Sequence, residues 1–376
     1  MKIAIFTDSY LPYHSGVVRS IITFSRELRA LGHKVYIFAP AYTTKQAPEE
    51  GVFRFISIKA PTYKEFALAI PLSSSVLRTL KNLQIEIIHV HSPFLLGRMG
   101  AWAARRLGLP LVFTYHTLYE YYVHYFPLAP NLLRRLVRRF TISFCNRCDL
   151  VIAPTRSIAG YLNNHGVKTR VDIIPTGIEI HSFQGDKLWL RQQFGIRPEE
   201  KILLYVGRLG KEKNLEFLLQ AFQRIYSQNS LARLILVGGG PLKNFLEAEA
   251  VRLGINRALI FPGSFPWEMM PNIYAGADVF VFASVTETQG LVIAEAKAAG
   301  LPVVAVKAFG VADMVEDGED GFLTPLDINS FVERVMVLLN KETLRQEMSR
   351  KAYLNAQKLA APLVAAKLAA AYYELL

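Results

Sequence analysis

Short, unbroken apolar runs rich in Val and Ile recur along the whole chain, each followed by roughly ten to twenty residues patterned for a helix. No other feature constrains the fold as tightly. A strand that is apolar on both faces must be covered on both faces, and helices returning over a parallel sheet provide that cover. The first series of runs lies at residues 2–6, 34–38, 85–89, 111–115, 150–153 and 172–174. A second follows at 201–206, 233–237, 259–261, 279–282 and 303–306. Between them, from Pro175-Thr176-Gly177 to Glu200, the chain turns polar. The pattern predicts an α/β protein with two doubly wound domains facing each other across a cleft, the first over 1–175 and the second over 176–350. The segment 351–376 belongs to an Ala-rich helical stretch with a break expected at Pro362, and it is expected to pack back on the first domain. In such sheets ligands bind beyond the carboxyl ends of the strands, so the residues just after each run matter most.

Composition narrows the function classes. At 376 residues and 51% hydrophobic, the chain can bury two cores and is the opposite of a disordered sequence. Two Cys cannot build a disulfide framework. Asp8 follows the first apolar residues too early for a signal peptide, and the best apolar run, 290–306, contains Glu295 and Lys297. A cytoplasmic protein without a membrane span is expected. Its charge is uneven: residues 1–170 hold 22 Lys and Arg against 8 Asp and Glu, whereas the remainder is slightly acidic. A basic first half suits an anionic partner, nucleic acid or lipid, or simply a solubilising surface. No nucleic-acid module is recognisable, which leaves nucleic acid the weaker reading.

Several motifs fall just after strands. Gly207-Arg208-Leu209-Gly210-Lys211-Glu212-Lys213-Asn214 follows one run and opens a helix, offering backbone N–H groups, a helix dipole and two cations, Arg208 and Lys213, to a diphosphate. It is not a Walker A loop, because Glu212 stands where Ser or Thr is needed. A basic turn with a solvated Lys is the bland reading. In Glu287-Thr288-Gln289-Gly290-Leu291-Val292-Ile293-Ala294-Glu295, two carboxylates suit the vicinal hydroxyls of a sugar and a ribose, while Gly290 lets the backbone approach a phosphate. One loop Glu and one helical Glu fit a hydrolase acid–base pair poorly. Gly16 sits in a loop after the first strand, a plausible diphosphate contact. His116 directly follows a strand, and His89 and His91 follow another; a structural hydrogen-bonding role competes with a functional one. None of these His spacings makes a metal site. Cys145-Asn146-Arg147-Cys148 ends a helix and reads as packing, and Gly238-Gly239-Gly240-Pro241 lacks dinucleotide-fingerprint spacing.

Residues 131–144 read as a basic amphipathic helix. Leu132, Leu133, Leu136, Val137, Phe140 and Phe144 share one stripe, while Arg134, Arg135, Arg138 and Arg139 crowd another. Beside it lie Tyr119, Tyr121, Tyr122, Tyr125 and Phe126. Arg without intervening acid next to aromatic residues suits an anionic membrane surface. The alternative is a surface helix with its apolar face in the core.

Taken together, these residues resemble the retaining, nucleotide-sugar-dependent glycosyltransferases of family 4, over nearly the whole chain. The resemblance rests on the Gly16 loop, Thr114-Tyr115-His116, Gly207-Arg208 with Lys213-Asn214, and the E-x7-E pair Glu287/Glu295. Within the family the chain is most similar to the diacylglycerol glucosyltransferases, through Ser15-Gly16-Val17, Ala60-Pro61-Thr62-Tyr63 up to Ala69-Ile70-Pro71, His91-Ser92-Pro93-Phe94 and the stretch Tyr115 to Tyr122. The resemblance implies a GT-B fold of two facing Rossmann-like domains. It implies that Arg208 and Lys213 hold the donor diphosphate, Glu287 the sugar hydroxyls and Glu295 the ribose, with backbone contacts from Gly290, Leu291 and Val292. It also places His116 against the transferred sugar and Gly16 near the phosphates, so that His116, Arg208, Lys213 and Glu287 form the catalytic set. Many members carry two adjacent Gly in the first loop; here Ser15 takes the first place, and nothing is carried over to it. The implied reaction moves a hexose, expected to be glucose from UDP-glucose, to diacylglycerol at the inner face of the cell membrane. The protein would associate peripherally with anionic lipid, without a cofactor or metal. Alternatives are a GDP-mannose-dependent transferase acting on an inositol phospholipid, a transferase with a soluble acceptor, a nucleotide-sugar epimerase, or a silent nucleotide-sugar-binding protein.

Overall fold

Each of the apolar runs forms a parallel strand in the computed structural model, which describes residues 1–42, 49–59, 67–71, 75–122 and 130–376. Ala60-Pro61-Thr62-Tyr63, Tyr125 and Phe126 lie outside the described residues. In chain order the first unit contains β1 (Lys2–Phe6), α1 (Gly16–Ala30), β2 (Lys34–Pro40), β3 (Val52–Phe55), β4 (Ser57–Lys59), β5 (Ala67–Ala69), α2 (Val76–Leu83), β6 (Ile87–Val90), α3 (Leu95–Leu107), β7 (Leu111–Thr114), α4 (Pro130–Cys145), β8 (Leu150–Ala153), α5 (Arg156–Asn164) and β9 (Val171–Ile173). Seven of these strands form one parallel sheet in the order β3-β2-β1-β6-β7-β8-β9, while β4 and β5 pair antiparallel. The strand order reverses between β1 and β6. A crevice opens where crossovers diverge to opposite faces, so the loops after these two strands are the natural ligand edge of this unit.

The second unit begins with α6 (Trp189–Phe194) and continues through β10 (Lys201–Val206), α7 (Leu215–Gln228), β11 (Ala232–Val237), α8 (Lys243–Arg252), β12 (Leu259–Gly263), α9 (Met270–Ala275), β13 (Val279–Phe282), α10 (Leu291–Ala298), β14 (Val303–Val306), β15 (Gly321–Thr324), α11 (Ile328–Asn340) and α12 (Glu342–Ala356). Its six-stranded parallel sheet has the order β12-β11-β10-β13-β14-β15, reversing between β10 and β13. Both units are thus Rossmann-like and doubly wound.

The last helix, α13 (Ala361–Tyr373), belongs to the first unit. Its Val364, Leu368 and Tyr372 are fully buried with Val18, Ile21, Phe24 and Leu28 of α1 and with Ile3 and Ile5 of β1. Each such Leu, Ile, Val or Phe contributes about 1.5–3 kcal/mol by leaving water. The compact units are Met1–Gly177 with Ala361–Leu376, and Ile178–Ala360. This differs from boundaries at 175 and 350 because α12 runs on to Ala356 inside the second unit. The chain leaves that unit only after a 3-10 turn and Ala360, so Pro362 opens α13, where its missing N–H costs nothing.

Strands β3, β4, β5 and β15 have no counterpart among the predicted runs. They are only three or four residues long; Ile56 and Ile58 beside or within β3 and β4 stay exposed, and β5 and β15, though largely buried, are short and built partly of Ala, Gly and Thr, so none carries the continuous Val- and Ile-rich signature of central strands. Among the described residues, no helix is long and apolar enough to cross a membrane.

Candidate functional site

In the second unit the two carboxylate and cation motifs sit on the two loops that flank the reversal point. After β10, Gly207 to Gly210 leads into a 3-10 turn, Lys211–Lys213, and Asn214 takes a left-handed conformation before α7 starts. After β13, Ser284 to Gln289 leads to Gly290, whose φ of 82° suits glycine and caps α10. Because β10 and β13 are hydrogen-bonded neighbours, the loops meet. Lys213 Nζ donates to Glu287 Oε1, and Ser284 Oγ donates to the same oxygen at 2.9 Å. Ser284 Oγ is also within 3.1 Å of the Glu212 carbonyl, and Thr286 Oγ1 lies 3.4 Å from the same oxygen. The expected diphosphate cation and the expected sugar carboxylate are therefore ion-paired with each other, an arrangement their spacing of 74 residues did not reveal.

The other expected residues lie around this pair. Arg208 is partly buried, with its carbonyl held by Tyr205 Oη at 3.0 Å. Leu291 and Val292 open α10, so their N–H groups are among those that a first helical turn leaves without an intrahelical acceptor. Glu295 is buried on α10, and its Oε2 accepts a hydrogen bond from Tyr274 Oη at 2.8 Å. It is not a solvated helix residue.

The glycines at 238–240 have a purpose that sequence spacing concealed. A Cβ on Gly238 would stand 1.9 Å from the Gly207 carbonyl oxygen, and one on Gly240 would stand 2.5 Å from that of Leu209. Bonds from Leu209 N to Gly239 O (2.8 Å) and from Leu242 N to Leu209 O (3.0 Å) join the two loops. The triple glycine lets one loop brace the Arg208 loop. Pro241 stands two residues before α8 begins at Lys243.

In the first unit, Gly16 is the first residue of α1, capped by Ser15 Oγ, which accepts from Val18 N at 3.3 Å. Asp8, after β1, is buried and accepts from Leu96 N at 2.8 Å and from Ser92 Oγ; burial is the leading influence and raises its carboxyl above the usual range. Asp8 and Ser92 thus tie the loops after β1 and β6 together across the reversal point. Neither was given a role from sequence, although each stands within two residues of a strand end, which was the available signal.

His116 lies two residues beyond β7, partly buried, with Nε2 2.8 Å from Nδ1 of His91. His91 follows β6, but His89 lies within that strand, a correction to the expected placement. His89 Nδ1 contacts Tyr372 Oη at 2.6 Å and its Nε2 contacts Thr114 Oγ1 at 2.7 Å. Burial pushes His89 and His116 down to about 3 and His91 well below its ordinary value. All three are neutral at pH 7, so in the His91–His116 bond one ring donates and the other accepts.

Tyr119 sits in a 3-10 turn, edge-on to Phe94 at 4.9 Å, and Tyr122 ends that turn. The helix α4 departs from its expected faces. At 100° per residue, Leu133, Val137, Phe140 and Phe144 share the side that packs inward, whereas Leu132 and Leu136 rotate away and are 60% and 53% exposed. Next to them stand the exposed Arg135 and Arg139. Arg138 is partly buried, and Arg134 is tied to the Glu120 carbonyl at 3.2 Å and to the Tyr121 ring. The outward strip is thus Leu and Arg together, not Arg alone. Cys145 and Cys148 are buried, and burial pushes the Cys145 thiol up to about 12, as packing residues would be.

Residues 14–182 match the model of Glycosyltransferase Family 4, and residues 186–355 match that of Glycosyl transferases group 1. An alpha-monoglucosyldiacylglycerol synthase of Streptococcus pneumoniae is 36% identical over 316 residues, covering 81% of this chain and 71% of its own. A GDP-mannose-dependent alpha-mannosyltransferase of Corynebacterium glutamicum is 30% identical over 344 residues, covering 89% and 78%. Among solved structures, Anabaena Alr3699/HepE in complex with UDP superposes with a TM-score of 0.80 at 22% identity, over 100% of both chains.

Proposed function

The chain belongs to glycosyltransferase family 4, and on that premise we propose that it transfers glucose from UDP-glucose to diacylglycerol at a membrane surface, retaining the anomeric configuration. The observation that carries the reading is the constellation at the β10/β13 reversal: Arg208, the Lys213–Glu287 pair and the start of α10 on adjoining loops. Similarity to the synthase supports the glucose donor and the lipid acceptor.

The chemistry follows from charge. When the bond from the sugar C1 to the diphosphate oxygen breaks, the electron pair leaves with the diphosphate and positive charge builds on the sugar. Arg208, Lys213 and the first N–H groups of α10 stabilise the departing anion, and stabilisation of developing charge by fixed dipoles and cations is commonly the main source of rate in such sites. They serve in place of a metal ion. Glu287 holds Lys213 in place and accepts from the sugar hydroxyls, while Glu295, oriented by Tyr274, accepts from the ribose. Neutral His116 lies against the hexose, and Gly16 leaves room for phosphate. The acceptor hydroxyl attacks C1 on the face the diphosphate leaves, and its proton passes to the departing phosphate. The exposed Leu132, Arg135, Leu136 and Arg139 of α4 rest on anionic lipid at the inner face of the cell membrane.

Transfer of label from UDP-glucose to diacylglycerol in vesicles tests this reading. Labelled glycolipid is expected, with Arg208→Ala lowering turnover by about a hundredfold or more at unchanged thermal stability. Near-normal activity of that variant would refute the site. Glycolipid formed from GDP-mannose and not from UDP-glucose would favour the mannosyl donor, which similarity to the mannosyltransferase supports.

A further inference from the structure

A cavity of about 930 Å³ opens between α3 and the carboxyl-terminal half of α4, lined by Arg98, Trp102, Arg105, Phe140, Arg147 and Asp149 among others. It also touches Leu111, the first residue of β7, and Asp149 directly precedes β8. It therefore lies at the amino ends of the strands, at the opposite edge of the sheet from His91 and His116. The three guanidinium groups are exposed, and none of them forms an ion pair among the described residues. The one carboxylate of the lining, Asp149, accepts from Leu111 N at 2.8 Å. Arg98 lies over the Phe140 ring at 5.8 Å and Trp102 is 44% exposed, so cations and aromatic faces alternate along the mouth.

We propose that this cavity binds the phosphodiester headgroup of an anionic bilayer phospholipid, docking the α3 side of the first unit onto the membrane. Guanidinium forks match phosphate oxygens in pairs, and a cavity of this volume has room for the glycerol and the start of the chains beyond the phosphate. Exposed apolar residues also run along the two helices from their first turns toward the cavity: Phe94 and Leu95 at the start of α3 with Trp102 further on, and Leu132 and Leu136 in the first half of α4, each interleaved with Arg. Phe94 stacks on Phe140 at 5.9 Å, which joins the two helices into one amphipathic face. The inference rests on the reading of this protein as an enzyme of the bilayer surface, but it concerns residues outside the donor constellation.

Trp102 serves as the reporter, its signal being the difference between the wild-type chain and Trp102→Phe. Dihexanoyl phosphatidylglycerol below its micelle concentration is expected to change that signal saturably, while dihexanoyl phosphatidylcholine and glycerol 3-phosphate leave it unchanged. Arg105→Gln with Arg147→Gln should weaken the binding by about tenfold or more, since two charge-assisted contacts are lost. Sedimentation with phosphatidylglycerol-containing vesicles separates the two ideas. Vesicle binding without a saturable Trp102 response refutes the cavity and leaves the surface reading standing. No vesicle binding by the wild-type chain refutes both. An equal response to glycerol 3-phosphate refutes the lipid assignment.

Discussion

Replacing Lys297 with Met should cost more stability than almost any other single change in the second unit. Lys297 lies on α10, two residues beyond Glu295, and its side chain is 5% exposed. Its Nζ is 2.6 Å from Asp320 Oδ2 and 2.7 Å from the Met314 carbonyl. Asp320 is wholly buried; it also accepts from Glu316 N at 2.9 Å and from Asn355 Nδ2 at 2.9 Å. Methionine fills the aliphatic volume but leaves that carboxylate in the interior with two hydrogen bonds and no countercharge. Breaking a buried pair in this way costs about 3–5 kcal/mol. In a unit of this size each kcal/mol moves the midpoint by about 2–4 °C, so calorimetry should show a fall of about 6–20 °C. Lys297→Met with Asp320→Asn should recover much of the loss, because the stranded charge is gone. A fall below about 2 °C for the single variant, within the range of ordinary surface substitutions, would refute the argument that this pair clamps α10 in place.

Other outcomes follow from the same structure. His89 is held neutral with a folded value near 3, below its ordinary 6.5, so the unfolded state binds the extra proton between those values. Stability is therefore complete above about pH 6.5 and is lost as pH falls toward 3, by about 2 kcal/mol at pH 5 from this one group. Urea unfolding at pH 7 and pH 5 should show that loss shrink in His89→Asn; an unchanged pH dependence would count against it. Gly238→Ala places a methyl 1.9 Å from the Gly207 carbonyl in a left-handed backbone, and the Arg208 loop must move. The donor KM should rise by about tenfold or more through misplacement of that loop, measured against UDP-glucose, and a normal KM would show that the brace is dispensable. Tyr274→Phe removes the bond to Glu295, and donor affinity should fall by about three- to tenfold in calorimetric titration with UDP.

What could be read from the chain before its structure was whatever repeats along it. Two series of apolar runs gave two doubly wound sheets, because burial on both faces leaves its mark on every residue of a central strand. The short strands β3 and β4 escaped because half-exposed residues carry no such mark, and β5 because three residues are too few to show it. Arg208, Lys213, Glu287 and Glu295 were visible because strand ends are where an α/β sheet keeps its ligands, so position along the chain already implied position at the edge.

What only the tertiary structure decided was which of these residues touch. Lys213 meets Glu287 and Ser284 because β10 and β13 are neighbours, and strand order depends on crossovers that no local pattern encodes. The same holds for Tyr372 reaching His89 across 283 residues, and for the glycines at 238 and 240, whose need is set by the backbone of another loop. Helix α4 shows the limit within a single element. Its sequence assigned six apolar residues to one stripe, but a helix turns 100° per residue, and only packing determined that Leu132 and Leu136 face outward. Local composition sets what a segment can bury; the neighbour it packs against sets which side it does bury.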